Sequence, residues 1–299
     1  MSAGGIEVVQ LSLAAGTDAP GPLSALAAFP ANGAPPKAVV WALHGAGMHA
    51  GYWHATADPD LSLLTLGATL GFTVVAIDRP GHGASTDWPD DWLTRERQAE
   101  ALHAARDTFA ATHETGTGFF VIAHSYGMRV AFTMAAHPRG RELIGLDGSG
   151  SGLRFANAEH MPAPGTPVAE RRHNAQRNPW GPRHLYPRTV FSRKALPLAP
   201  MPAAQSAETW SWPDTLPKLA ADIEIPVRLT YGEHETFYLI DDEHLDEIRA
   251  LFVKSPRVVV ERQPYTGHNI SLSNVARVYH LKALAFAEEC IVAARLGAF

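Results

Sequence analysis

The chain of 299 residues is 46% hydrophobic and 18% charged, with a formal net charge of −5. That length suits one large α/β domain with an insertion, the composition is ordinary for a globular enzyme, and the acidic balance without a long basic run argues against nucleic acid as a partner. A lone cysteine, Cys290, cannot staple the chain internally. No stretch is apolar for long enough to span a bilayer, and the N-terminus lacks a basic region followed by an apolar core, so the expected place is the cytoplasm, with no membrane partner.

In chain order, residues 6–13 and 22–29 read as a short β meander. Strand-like runs follow at 38–43, 73–78, 119–123, 143–147, 227–231 and 257–261, with helical stretches between them, including 95–112 and a helix from Ser125 to about Ala136. This alternation predicts an α/β fold, a mainly parallel central sheet flanked by helices. In the last helix Val275, Tyr279, Ala283, Phe286, Cys290 and Ala293 recur at steps of three and four, which predicts one face against the sheet.

The alternation breaks between Gly152 and Asp222, a stretch rich in proline and arginine that carries Trp180, Tyr186, Phe191, Trp210 and Trp212. It reads as a lid or cap insertion, with residues 1–151 as the first part of the core domain, 152–222 as the lid and 223–299 as the second part of the core. Two readings of its aromatics stand side by side: they line an apolar acyl pocket, or they pack the lid on the body. Arg171, Arg172, Arg177, Arg183, Arg188, Arg193 and Lys194 fall in a run without Asp or Glu. Such a cluster suits a carboxylate or phosphopantetheine group, although a solvated lid face explains it more simply.

The chemistry concentrates where strands end. The apolar run Phe119-Phe120-Val121-Ile122 leads into Ala123-His124-Ser125-Tyr126-Gly127. A strand closing in small-x-Ser-x-Gly and opening a helix is a nucleophile elbow, a turn so tight that the residues two before and two after the serine must be small. His44-Gly45-Ala46-Gly47 follows the strand at 38–43, and Asp78-Arg79-Pro80-Gly81-His82-Gly83-Ala84-Ser85 follows that at 73–78. Gly232-Glu233-His234-Glu235 closes the strand at 227–231, and Thr266-Gly267-His268-Asn269 comes after the last strand. Gly45-Ala46-Gly47-Met48-His49-Ala50 also fits a dinucleotide fingerprint, but the acidic partner expected about 20 residues on is missing. Gly148-Ser149-Gly150-Ser151-Gly152 reads as a flexible exit into the lid, and no spacing suits a metal.

Together, and in this chain order, these motifs resemble the α/β-hydrolase superfamily over roughly residues 37 to 290. The resemblance implies a serine hydrolase in which Ser125 is the nucleophile and His268 its base. Glu235 is the favoured acid, with Asp147 as the alternative and Asp241 and Asp242 as weaker ones. The oxyanion hole would use the N–H groups of Tyr126 and Ala46, with Gly47 in place of Ala46 as the alternative. His44 is expected to stabilise its loop. The implied substrate is a small-molecule carboxylic ester or thioester of a largely apolar acid, cleaved through an acyl-enzyme without cofactor or metal; a homodimer is compatible with this. The same triad also serves a lyase or eliminating enzyme, an acyltransferase or a cyclase, and hydrolysis of a diketone carbon–carbon bond; a non-catalytic receptor of the same fold is the rival from another class.

Overall fold

The computed structural model describes residues 6–156, 180–192 and 197–298. Eight strands form one sheet: β1 (Val8–Leu13), β2 (Leu23–Ala28), β3 (Val39–Leu43), β4 (Thr73–Ile77), β5 (Phe119–His124), β6 (Leu143–Ser149), β7 (Val227–His234) and β8 (Val258–Gly267). Their order across the sheet is β1-β2-β4-β3-β5-β6-β7-β8. The first two pairings, β1 with β2 and β2 with β4, are antiparallel. From β4 onward every neighbour is parallel.

The sequence explains this arrangement locally. β3 is an unbroken apolar run, and β4 and β5 are apolar apart from Thr73 at the start of one and His124 at the end of the other; all three are buried along their whole length, as a parallel strand covered on both faces must be. Alternate side chains serve opposite layers: Val39, Trp41 and Leu43 enter one core, Val40 and Ala42 the other. The first layer is closed by α2 (Arg95–Ala110) and α3 (Tyr126–Ala136), the second by α1 (Leu63–Thr69) and α7 (Ala276–Arg295). Two helix starts are capped by hydroxyls, with Ser62 Oγ accepting from Thr65 N and Thr94 Oγ1 from Arg97 N. On α7, Tyr279, Ala283, Phe286 and Cys290 are buried as the stripe predicts, while Val275 and Ala293 at its ends are half-buried.

Between β6 and β7 the chain leaves the sheet. The described part of this stretch holds short 3-10 turns at Arg183–Leu185 and Arg188–Phe191, then α4 (Ala203–Trp210) and α5 (Trp212–Asp222). A last connection, α6 (Asp242–Ala250), joins β7 to β8. Trp180, Tyr186 and Phe191 cluster with ring centroids about 6 Å apart; Trp180 and Tyr186 are buried in the second core layer, Tyr186 OH accepts from Asn269 N, and Trp212 packs on Phe132 of α3, so these aromatics fasten the stretch to the body. Trp210, against Phe155, stays 47% exposed and is the one that faces outward. Of the basic run, Arg183 lies over the Phe191 ring and Arg188 is exposed; Arg171, Arg172, Arg177, Arg193 and Lys194 lie outside the described residues. The fingerprint-like glycines at 45–47 are followed by a 3-10 turn, Ala50–Trp53, and not by the α-helix a dinucleotide site needs.

Candidate active site

The elbow is where β5 turns into α3. Ser125 sits at φ 53°, ψ −120°, a backbone pose that costs a non-glycine residue about 1–3 kcal/mol. Neighbours hold it there. Ser125 N donates to Ser149 O at 2.7 Å, and Ser125 O accepts from Ser151 Oγ at 3.0 Å. The sequence run 148–152 is therefore not a flexible exit: Gly148 and Ser149 end β6, and Ser151 is buried beneath the nucleophile. Gly127 must be glycine because a Cβ there would lie 2.4 Å from His44 O.

His268 follows β8 and reaches over the elbow. Its Nε2 lies 3.1 Å from Ser125 Oγ and its Nδ1 2.8 Å from Glu235 Oε2. The other carboxylate oxygen of Glu235 accepts the N–H groups of Thr236 and Phe237, each at 2.9 Å, and the side chain is fully buried. Three donors fix this carboxylate, and its acceptor next to Nδ1 selects the tautomer that leaves Nε2 free to accept from the serine hydroxyl. The backbone of His268 is held from the insertion: its N–H donates to Trp180 O at 2.9 Å, an oxygen that also accepts from Tyr186 OH at 2.6 Å. Gly267 permits this contact, since a Cβ would fall 1.7 Å from the same carbonyl.

The structure thus brings Ser125, His268 and Glu235 into one hydrogen-bonded line and leaves the other carboxylates elsewhere. Asp147 is buried in the sheet, paired with Arg228 and accepting from Tyr279 OH at 2.7 Å. Asp241 caps α6, Asp242 pairs with Arg262, and Glu233 accepts the Tyr265 N–H. Tyr126 opens α3, so its N–H is one of the donors a helix start leaves without an intrahelical partner. Gly45, before Ala46, presses on the nucleophile; a Cβ on it would sit 3.1 Å from Ser125 Cβ. The oxygen of Gly47 is committed to Ala199 N at 2.8 Å, which ties the turn after β3 to the insertion. Asp78 stitches the same region, accepting from Ala50 N at 2.7 Å and Ala84 N at 3.0 Å. A Cβ on Gly83 would lie 2.2 Å from its carboxyl, which explains the glycine in that motif.

A polar layer behind His268 is the part sequence reasoning missed. The ring of His124 stands 4.9 Å from that of His268, stacks on Tyr52 at 4.7 Å, and meets Ser149 Oγ and Asn269 Oδ1 at 3.0 and 3.1 Å. Burial and the neighbouring His268 hold His124 well below the usual histidine range, so it is a neutral spacer. The available signal was its position, immediately before the nucleophile. Also unforeseen is Glu208 of α4, which accepts from Tyr126 OH and pairs with Arg95 Nε at 3.1 Å.

Residues 39–281 match the profile of the Alpha/beta hydrolase family. The chain belongs to that family. No curated protein is similar enough in sequence to match. Among solved structures, the hydrolase resembles a carboxyl esterase from Bacillus coagulans at 20% identity and a TM-score of 0.69, covering 95% of this chain and 99% of that one. It resembles a putative aryl esterase from Burkholderia cenocepacia at 16% identity and a TM-score of 0.68, over 95% of this chain and 100% of that one. A thioesterase domain from the curacin biosynthetic pathway follows at 17% identity and a TM-score of 0.59, over 93% and 99%. At these identities the likeness is one of fold. Among the described residues no helix is long and apolar enough to cross a membrane, and no group of side chains could hold a metal ion.

Proposed function

We propose that this α/β hydrolase cleaves a carboxylic ester or thioester of a small, largely apolar molecule through an acyl-enzyme on Ser125. The observation that carries the reading is the relay from Ser125 Oγ to His268 Nε2, 3.1 Å, and from His268 Nδ1 to Glu235, 2.8 Å. Ser125 Oγ attacks the carbonyl carbon while its proton passes to His268 Nε2. The carbonyl oxygen becomes an oxyanion held by the N–H groups of Tyr126 and Ala46. Glu235 stabilises the imidazolium. Collapse of the adduct breaks the bond to the leaving oxygen or sulfur, which takes the proton back from Nε2. Water then attacks the acyl-serine, giving its proton to the same nitrogen, and the second collapse frees the acid and restores the Ser125 hydroxyl. In this reading the insertion between β6 and β7 caps the site, its described residues reaching it at Trp180 O and Glu208, and the esterases and thioesterase of like fold lend the substrate class weight.

The test is intact mass after treatment with a fluorophosphonate, with the parent and Ser125→Ala side by side, followed by a panel of esters and thioesters. One adduct on the parent, absent from the variant, is expected, together with a loss of turnover by several orders of magnitude. Unchanged turnover in Ser125→Ala overturns the mechanism.

A further inference from the structure

Two consecutive carbonyls in the turn after β3 face one guanidinium. Arg79 Nε donates to His44 O at 3.0 Å and Nη2 to Gly45 O at 3.2 Å, while Nη1 is anchored on Gln98 Oε1 at 2.6 Å. His44 adds a third donor. Its Nε2 accepts the Arg79 backbone N–H at 3.2 Å, which leaves the ring proton on Nδ1, and Nδ1 donates to Gly45 O at 2.8 Å. Both side chains are fully buried. Among the described residues no carboxylate pairs with Arg79; its charge is met by these two carbonyls, the Gln98 amide and the Tyr126 ring, 5.1 Å away. Burial draws the guanidinium down to about 10, so it stays charged at neutral pH.

A trans peptide carries its C=O and N–H on opposite sides. With the carbonyls of His44 and Gly45 turned to Arg79, the N–H groups of Gly45 and Ala46 are turned away from it. Glycine at 45 has no Cβ of its own to restrict rotation of the flanking peptides, so the hydrogen bonds to their carbonyls carry the orientation. A flipped 45–46 peptide would aim a carbonyl oxygen where the oxyanion develops.

We propose that Arg79 is the positioning residue of the oxyanion hole: it holds both carbonyls on its own side, keeps the Ala46 N–H turned to a carbonyl seated on Ser125, and through the Tyr126 ring keeps that donor beside the Tyr126 N–H. Arg79 itself touches no reacting atom. The inference rests on Ser125 being the nucleophile, and it explains why a buried arginine without a carboxylate partner, ordinarily a costly group, stands here.

The experiment compares the parent with Arg79→Met, Arg79→Lys and Gln98→Leu on 4-nitrophenyl butyrate, with phenylboronic acid as a probe of the tetrahedral anion and a thermal melt of each protein. Arg79→Met should lose about 100-fold in kcat with KM within about twofold, as removal of one oxyanion donor does. Affinity for the boronate should fall by the same factor, and the pH midpoint of kcat/KM should stay put, since the Ser125–His268–Glu235 line is untouched. Arg79→Lys should recover part of the loss, because one ammonium reaches one carbonyl. Gln98→Leu, which keeps the charge and frees Nη1, should show a smaller loss of the same pattern. Should Arg79→Met not fold, the lysine and Gln98 variants decide on the same two readouts. Folded variants that keep the parent kcat, or that lose kcat without losing boronate affinity, overturn the inference alone. A parent that neither hydrolyses the ester nor takes a fluorophosphonate overturns the nucleophile reading, and the inference falls with it.

Discussion

Asp147 and Glu235 belong to neighbouring strands, one within β6 and the other just past the end of β7, and both side chains are fully buried, yet the donors around them differ in kind. Asp147 faces a guanidinium and a phenol: Arg228 from β7, which also reaches Glu261 on β8 at 2.8 Å, and Tyr279 from α7. Lys282 completes the lattice at 3.0 Å from Glu261, so three strands and a helix are tied together. Burial raises the Asp147 carboxyl despite Arg228, the mark of a group held in place by its surroundings. Glu235 has no Lys or Arg partner among the described residues. It accepts two amides of its own turn and one imidazole N–H. A carboxylate whose charge is already spent on a guanidinium has little left for a passing cation. One held by amide dipoles can answer an imidazolium that forms and vanishes beside it.

Exchanging each carboxylate for its amide tests this contrast. Glu235→Gln should lower kcat by about 1,000- to 10,000-fold, because the amide no longer enforces the tautomer with Nε2 free, and the melting temperature should barely move. Asp147→Asn should do the opposite. It leaves Arg228 short of its buried partner at a cost of about 3–5 kcal/mol, read by denaturant unfolding, while the folded fraction turns over at the parent rate. If kcat ranks the other way, the acid of the triad is Asp147.

Most of the sheet was legible because its strands are long apolar runs separated by turn chemistry. Within a residue or two, 38–43, 73–78 and 119–123 became β3, β4 and β5. The residues of the line through Ser125 were legible for a related reason, since each stands at the end of a strand where local sequence marks the turn. What stayed hidden was pairing at long range. Nothing near Asp147 in sequence announces Arg228, 81 residues on, and nothing near His268 announces the carbonyl of Trp180. Ser151 was misjudged for a similar reason, because a glycine-serine run signals flexibility until a strained serine is found to need a partner.

Histidines offer a finer version of the contrast. His268 has a partner at each ring nitrogen, whereas His280 on α7 is fully buried and neither of its nitrogens has a partner among the described residues. Burial lowers His280 to about 3, and His103 to about 4 in the same direction. The unfolded chain binds these protons as the pH falls below about 6.5; the folded chain resists until near its own lower values. Stability is therefore full above about pH 6.5 and is lost as the pH falls towards 3. His280→Leu should flatten that decline, by about 2 kcal/mol at pH 5, and leave kcat at pH 7 unchanged. Parallel plots of melting temperature against pH for parent and variant would rule out His280 as the source.

A third carboxylate, Glu208, has donors of the Asp147 kind, a guanidinium and a phenol, but lies at the edge of the insertion, and the effect of removing it should be the smallest. It sits on α4 of the insertion and accepts from Tyr126 OH, from Arg95 N at 3.2 Å and from Arg95 Nε at 3.1 Å. Tyr126 is thereby held by its phenol in the insertion, while its N–H at the other end faces the site of the proposed oxyanion. If this contact fastens the cap, loosening it should reach the chemistry only through the placement of that one donor. Glu208→Ala should then reduce kcat/KM about tenfold, the cost of one charge-assisted hydrogen bond, and Glu208→Gln, which still accepts from Tyr126 OH, should lose less. Amide hydrogen exchange in α4 should quicken in the same order, since a helix of eight residues depends on its tertiary contacts for protection. Quickened exchange with unchanged kcat/KM would separate the two ends of Tyr126, making Glu208 a fastener of the insertion with no hold on the reaction.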